Sequence, residues 1–230
     1  MPTDTVFFDV PAAAADAAHE VQEVGGVQTR LPSSTLGTSR TSSFSAVPSA
    51  RSAYDGPSTS MRNRLGRVLW GLVRLLLIRP SPRPCHAWRA AVLRLCGARL
   101  GPRCHIYPGA RIWAPWNLDC ADAVGIADGA VIYNPSLVRL GSHAIVSQDA
   151  YLCGASHDHN DPAFPMVNRP ITLGAYAWVA ARAVVGPGVT LGDGAVLGLA
   201  SVAMRDLAPW TVYVGAPARP VNPRTPHVAS

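Results

Sequence analysis

His157 and His159 stand two residues apart, with Asp158 between them, in a short run that opens at Cys153. A free imidazole titrates near pH ~6.5, so histidine is the side chain best matched to taking a proton from a hydroxyl at neutral pH. His157 is the candidate general base, and His159 competes for the role. Asp158 and Asp161 either orient that base or shape the segment around Pro162 and Pro165. Histidine can also hold zinc, which needs three ligands on neighbouring turns or strands. The spacing of His105, His143, His157 and His159 does not bring three to equivalent positions, so no metal is expected. Five cysteines (Cys85, Cys96, Cys104, Cys120 and Cys153) are odd in number and lack CxxC spacing. They signal neither a disulfide framework nor a zinc site, and they fit a reducing cytosol.

Such a base must be carried by something rigid, and the chain offers a six-residue repeat from Leu100 to Ser201. Its cleanest stretch is five unbroken hexads from Leu173 to Val202, with first positions Leu173, Val179, Val185, Leu191 and Leu197. Their fifth positions are Ala177, Ala183, Val189, Ala195 and Ser201. Upstream, first positions fall at Leu100, Ile106, Ile112, Cys120, Ile126, Ile132, Leu140, Val146 and Leu152, with Trp116 the one misfit among the small residues. A period of six is neither the 3.6 of a helical face nor the 2 of a strand. It describes a solenoid of short parallel strands, three to a turn, each turn stacked on the last. The spacing from Leu100 to Cys120 to Leu140 adds two residues at a corner each time. A far longer insertion, at 155–170, breaks the schedule between Leu152 and Leu173, and it carries His157. Insertions in repeat arrays become loops on one face, often the binding face.

The 230 residues carry a net charge of +6, unevenly distributed. Residues 1–57 are rich in Ala, Ser, Thr and Pro, with six acidic and three basic side chains and no apolar period, and read as a disordered extension. No basic start followed by an apolar run marks them as a signal peptide. Ten arginines then fall between Arg62 and Arg103, with no acidic residue between Asp55 and Asp119. Within 58–98 two amphipathic helices are predicted. The first has Arg64, Arg67, Gly71 and Arg74 on one face and Leu65, Leu69, Leu72 and Leu76 on the other, ended by Pro80, Pro82 and Pro84. The second sets Trp88, Ala91, Val92 and Leu95 in register. The apolar run is too short and too charged to cross a bilayer. These helices either cap the open end of the solenoid or lie on an anionic membrane surface, and the two roles are compatible.

Several motifs together resemble a known family. They are the hexads; Gly154 to Asp158; Asp161-Pro162-Ala163-Phe164-Pro165; and the closing run from Ser201 to Pro220. The Arg/Pro linker at 79–84 and the segment Trp113 to Asn117 belong with them. Over 62–224 the chain resembles the hexapeptide-repeat acetyltransferases, more narrowly a colanic-acid-type branch similar to the maltose, galactoside and nodulation acetyltransferases. The resemblance implies an all-β solenoid, a left-handed parallel β-helix that departs from the usual right-handed crossover, spanning 99–222 before a short tail at 223–230. It also implies a homotrimer with active sites between subunits, acetyl-CoA as co-substrate, and His157 as the base that deprotonates a sugar hydroxyl. No acyl-enzyme is needed, in keeping with the lack of a Ser or Cys nucleophile motif; Cys153 reads as structural.

By the same resemblance, Ala181 and the backbone near Leu199 line the path of the pantetheine arm. Arg205 and Arg219 stand where the family places basic contacts to coenzyme A, with Met204 beside the former. Relatives often carry Thr and Lys at the positions of Met204 and Arg205; a phosphate contact survives Lys to Arg, whereas a hydroxyl contact at Met204 does not. The plain alternatives are a solvated charge at Arg205 and an ion pair of Arg219 with Asp206. Asn134, at an insertion corner, either hydrogen-bonds a sugar or stabilises the turn with Pro135. The expected reaction is acetyl transfer to a saccharide, free or lipid-linked, in exopolysaccharide or cell-surface polysaccharide synthesis in the cytoplasm or at the inner face of the membrane. A non-catalytic scaffold in polysaccharide assembly and a zinc hydratase on the same fold are the competing readings, and no nucleic acid is expected as partner.

Overall fold

Every first position of the hexads turns inward. A computed structural model describes residues 61–226, so the extension expected over 1–57 and the last residues of the tail lie outside the described residues. From Arg99 onward the chain winds through strands of two or three residues that line up in three parallel faces. The first face stacks Arg99–Leu100, Leu118–Cys120, Val138–Leu140, Ile171–Leu173 and Thr190–Leu191. The second runs from His105–Ile106 to Thr211–Gly215, and the third from Arg111–Ile112 to Val202–Ala203. A sixth turn opens at Leu207, bridged to Leu191, and the chain ends by folding Ala218–Pro223 antiparallel onto Thr211–Gly215.

The core follows from the alternation of strand residues. In register on the second face, Ile106, Ile126, Val146, Val179 and Leu197 form one buried column; Ile112, Ile132, Leu152, Val185 and Ala203 form the same on the third. Small residues such as Ala110, Ala130, Ala144, Ala150, Ala177, Ala183 and Ala195 fill the corners beside these columns and are also buried. Tight corners require left-handed backbone. Arg103, Ala123, His143, Tyr176 and Trp210 all take it at the first-to-second corner, with φ between 51° and 61°. Gly194 occupies that position between Tyr176 and Trp210, where any Cβ would lie 2.2 Å from the Trp210 ring. There the Trp210 indole covers the turn, so only glycine fits.

Along the strands the hydrogen bonds between coils run toward the next coil: Gly101, Ala121, Gly141 and Gly174 each donate their N–H to one of its carbonyls, at 2.7–2.8 Å, while the left-handed corners return bonds the other way, as from Ala123 to Pro102. The strand carbonyls of the first coil therefore have no earlier coil to donate to them. Side chains of the helices take its place. Trp70 Nε1 donates to the Ile112 carbonyl at 2.8 Å, Arg74 Nε to Ala110 at 3.4 Å and Arg89 Nε to Ile106 at 2.6 Å. Arg94 donates from Nε to Leu100 at 3.0 Å and from Nη2 to Gly101 at 2.8 Å. Helix α1 (Met61–Val73) passes into a π-helical turn at Arg74–Ile78 before the prolines, and helix α2 spans His86–Leu95. Both helices cap the solenoid.

Capping turns α2 differently from the sequence expectation. Its buried residues are Arg89, Ala90, Val92 and Leu93, while Trp88, Ala91 and Leu95 are exposed. The physical reason is Arg89, which is fully buried. Besides Ile106, its guanidinium donates to the Ser81 hydroxyl at 2.9 Å and to the Pro82 carbonyl at 2.7 Å, and to the Arg83 carbonyl. A buried cation must have its donors met, and that need sets the rotation of the helix. Burial holds the Arg89 pKa below its usual value.

Candidate active site

All extra residues of the array leave at one corner, between the third face and the first. Ile112 to Cys120 and Ile132 to Leu140 each take eight residues where a hexad takes six, and the long insertion leaves after Leu152. The first of these additions forms a 3-10 turn at Pro115–Asn117, with Trp116 wedged against Gly66 and Gly97. The second holds Asn134.

Asn134 is fully buried, and its amide is engaged by the corner below. Its Oδ1 accepts from the Ala114 N–H at 2.9 Å, and its Nδ2 donates to the carbonyls of Ala114 at 2.8 Å and Asn117 at 3.1 Å. Asn117 returns the contact, donating to the carbonyls of Asn134 and Pro135. A side chain bonded in this way stabilises the turn, the second of the two roles expected of Asn134. The reason is that one coil offers the next a ready set of corner groups, and the amide matches them.

The long insertion is a hairpin, Ala155–His157 paired antiparallel with Met166–Asn168, and His157 lies opposite Met166. Its connecting loop is built on aspartates: Asp158 Oδ1 accepts from the Asn160 N–H at 2.9 Å, and Asp161 Oδ1 from the Ala163 N–H at 2.8 Å. These bonds turn the chain and bring the Phe164 carbonyl back to His157. Nδ1 of His157 lies 2.9 Å from that carbonyl, and the imidazole stacks on the Phe164 ring with centroids 4.5 Å apart and planes 6° from parallel. A carbonyl only accepts, so Nδ1 carries the proton and Nε2 keeps its lone pair. The ring is exposed, free to meet a substrate. Neither aspartate orients His157; a backbone carbonyl does. No pattern of residue types announces such a carbonyl, though Phe164, at φ 47°, marks the place where the loop is bent to deliver it.

Beneath the hairpin the third face presents an aromatic surface. Trp113 and Tyr133 meet edge to face at 5.4 Å, and Tyr133 Oη lies 3.8 Å from Met166 Sδ, opposite His157. Burial first, then a hydrogen bond to Cys153, pushes the Tyr151 phenol up, so it stays protonated at neutral pH. Cys153 Sγ donates to the Ala155 carbonyl at 3.2 Å, a contact that supports the base of the hairpin.

The residues expected to meet coenzyme A divide between two edges. Ala181 and Leu199 occupy the second-to-third corner of successive coils, joined by the bond from the Ala200 N–H to the Ala181 carbonyl at 3.0 Å. Arg219, paired across the terminal hairpin with Val214, stands over that corner, since Val214 packs on Gly198. Met204 and Arg205 lie across the third face, at the corner from which the His157 hairpin leaves two coils earlier. Leu199, Met204, Arg205 and Arg219 are exposed, Ala181 half-buried. The ion pairs among the described residues are Arg83–Asp128 and Arg103–Asp122, so Arg219 does not pair with Asp206, whose Oδ1 accepts from the Thr190 N–H. Both arginines are free of carboxylates.

The remaining histidines are engaged elsewhere. His105 stacks on His86 at 4.8 Å, and His143 on Tyr176 at 4.7 Å, next to an open cavity of about 280 Å³ that Ile145, Trp178 and Arg224 also line. Among the described residues, no three His, Cys, Asp or Glu side chains gather as a metal site would require. Trp178 donates to the Ser147 hydroxyl at 2.8 Å, a packing role for that indole.

Comparison with known proteins adds to this geometry. No family model matches the chain. WcaF of Escherichia coli K12, provisionally named a colanic acid biosynthesis acetyltransferase, is 36% identical over 162 residues, which span 70% of this chain and 89% of WcaF. The galactoside O-acetyltransferase of the same organism is 29% identical over 128 residues, 54% of this chain and 58% of that protein. Among solved structures, the hexapeptide-repeat acetyltransferase VCA0836 of Vibrio cholerae superposes with a TM-score of 0.67 at 23% identity, covering 73% of this chain and 96% of that one. A galactoside acetyltransferase in complex with coenzyme A gives a TM-score of 0.67 at 20% identity, covering 73% and 84%. At those identities the solved structures establish a common fold.

Proposed function

The chain belongs to the hexapeptide-repeat acetyltransferases, and on that basis we propose that it moves acetyl from acetyl-CoA to a saccharide hydroxyl in cell-surface polysaccharide synthesis, with His157 as general base. The observation that carries this reading is the exposed His157 ring, held by the Phe164 carbonyl and ring so that Nε2 is the free nitrogen. His159, two residues on, has no comparable anchor among the described contacts. Acetyl-CoA supplies a thioester carbon open to attack. Nε2 takes the proton of the acceptor hydroxyl as its oxygen bonds to that carbon, and the imidazolium formed donates to the Phe164 carbonyl through Nδ1. The proton is then available to the departing thiolate. The acceptor class rests on the names of the relatives, which concern colanic acid and a galactoside.

Coenzyme A would lie along Ala181 and Leu199, with Arg205 and Arg219 giving its phosphates charge-assisted hydrogen bonds. Within one protomer His157 and the Ala181–Leu199 edge are separated by the third face. A homotrimer reconciles them, because a neighbour's edge can face the hairpin. The face chemistry supports it: outward residues of the first face are Arg99, Asp119, Arg139, Thr172 and Thr190, whereas those of the third are apolar beyond Arg111 in the first coil, namely Val131, Tyr151, Val184 and Val202. A ring of three prisms buries apolar faces and leaves the polar one wet. Acetyl-CoA as donor sets the reaction in the cytoplasm, and no helix among the described residues is long and apolar enough to cross a membrane.

The test is release of coenzyme A from acetyl-CoA in the presence of saccharide acceptors. His157→Ala lowers kcat by about 10²–10⁴-fold while acetyl-CoA still binds by calorimetry. Unchanged turnover in that variant removes His157 from the mechanism, and failure of the native protein to bind acetyl-CoA favours a scaffold.

A further inference from the structure

Helix α1 is mounted the wrong way round for a soluble protein. Amphipathic helices normally turn their apolar stripe to the core. Here the side facing the solenoid holds Gly66 against Trp116, Arg67 over the Trp113 ring at 4.4 Å, Trp70 and Arg74. The opposite side holds Leu65, Val68, Leu69, Leu72, Leu75 and Leu76, each between 53% and 72% exposed. The cap has met its needs with arginine and tryptophan, and a continuous leucine stripe faces outward. At 100° per residue, Arg62 and Arg64 fall at the two margins of that stripe, and both are exposed. The stripe continues into an open groove of about 340 Å³ lined by Leu76, Leu77, Pro80, Pro82 and Trp88. The exposed Trp88 ring is tied by its Nε1 to the Leu77 carbonyl at 2.9 Å.

We propose that this face is a docking surface for an anionic lipid bilayer, on which α1 lies in the plane of the interface. Charge complementarity selects that occupant. Of the ten arginines between Arg62 and Arg103, the cap takes Arg74, Arg89 and Arg94, and Arg83 and Arg103 pair with carboxylates. Arg62 and Arg64 remain at the margins of the apolar stripe, with no acidic residue from 56 to 118 to oppose them. A leucine stripe bordered by arginine with a tryptophan at one end is the pattern of an interfacial helix. A second copy of the chain would set the same arginines against each other. Residues 1–57 are acidic in balance but have no apolar period with which to cover six outward aliphatic side chains. Arg67 and Trp113 link the docked helix directly to the aromatic surface beneath the His157 hairpin. The site is thereby tied to the membrane-facing end of the solenoid.

Full-length protein is sedimented with vesicles of phosphatidylcholine alone and with vesicles containing phosphatidylglycerol. Binding is expected to the anionic vesicles, weakening as salt is raised. Leu65→Glu with Leu69→Glu and Leu72→Glu should weaken it by at least about tenfold, and Arg62→Gln with Arg64→Gln should remove the preference for anionic lipid. Neither set should alter the melting temperature or acetyl-CoA binding, so failure here is separable from failure of the proposed reaction. No binding of the native chain to anionic vesicles overturns the proposal. So does binding that survives the three glutamates, or a change in oligomer size caused by them in the absence of lipid, which would assign the face to a second copy.

Discussion

Replacing Arg89 tests the idea that side chains stand in for a missing coil. Arg89→Met keeps most of the volume and removes every donor of the guanidinium. Three carbonyls lose a partner: Ile106, Pro82 and Arg83. A buried carbonyl left without a donor costs roughly 1–3 kcal/mol. His86 Nδ1, 3.0 Å from the Ile106 carbonyl, can take over part of that loss, and removing a desolvated cation gives some back. A net destabilisation of about 3 kcal/mol follows. For a chain of this size that is a fall of about 6–12 °C in melting temperature. Thermal denaturation followed by circular dichroism reads it directly. Hydrogen exchange locates it: because each coil leans on its neighbours, the N–H groups of His105 and Tyr107 should lose protection before those of the fifth coil. Arg89→Lys should not restore stability, since one ammonium cannot reproduce a fork that reaches three carbonyls. A melting point within about 2 °C of the native value for Arg89→Met would refute the reasoning, and mean that water serves these carbonyls as well as the guanidinium does.

Other outcomes follow from the same geometry. Asn134→Ala should lower stability by about 2–4 kcal/mol, read by urea denaturation, with the KM for the acceptor unchanged in whatever protein remains folded. A raised acceptor KM at native stability would restore the sugar contact. Arg205→Gln and Arg219→Gln should each raise the KM for acetyl-CoA by about tenfold, the worth of one charge-assisted phosphate contact, and leave kcat within about twofold; an effect on kcat alone would count against a role in binding.

The solenoid was legible because its signal is redundant. Thirteen of the fourteen hexad starts are aliphatic, so no single substitution hides the period. The interruption at 155–170 stood out for the same reason, and with it His157. The orientation of His157 was not legible. It depends on a backbone carbonyl, and every residue has one; only the loop path decides which carbonyl arrives. Asn134 could be read two ways from sequence, since an amide at a corner suits a sugar or a turn. The partners that engage it in the turn, Ala114 and Asn117, lie 20 and 17 residues away, where no local reading of the sequence reaches. In α2 the apolar period suggested Trp88 and Leu95 as inward residues, and the buried guanidinium of Arg89 overrode it.

Helix α1 separates the two levels most sharply. Sequence alone determined that it has a leucine face and an arginine face, because that follows from local helical geometry. It also determined the stacked coils, because a period of six admits few other shapes. Which face of α1 looks inward was decided only by tertiary structure. The first coil presents carbonyl groups to the cap, and carbonyls are satisfied by N–H donors from arginine and tryptophan, not by leucine. That demand comes from residues about forty positions further along the chain, as in the bond from Trp70 to Ile112. It turned the apolar stripe outward.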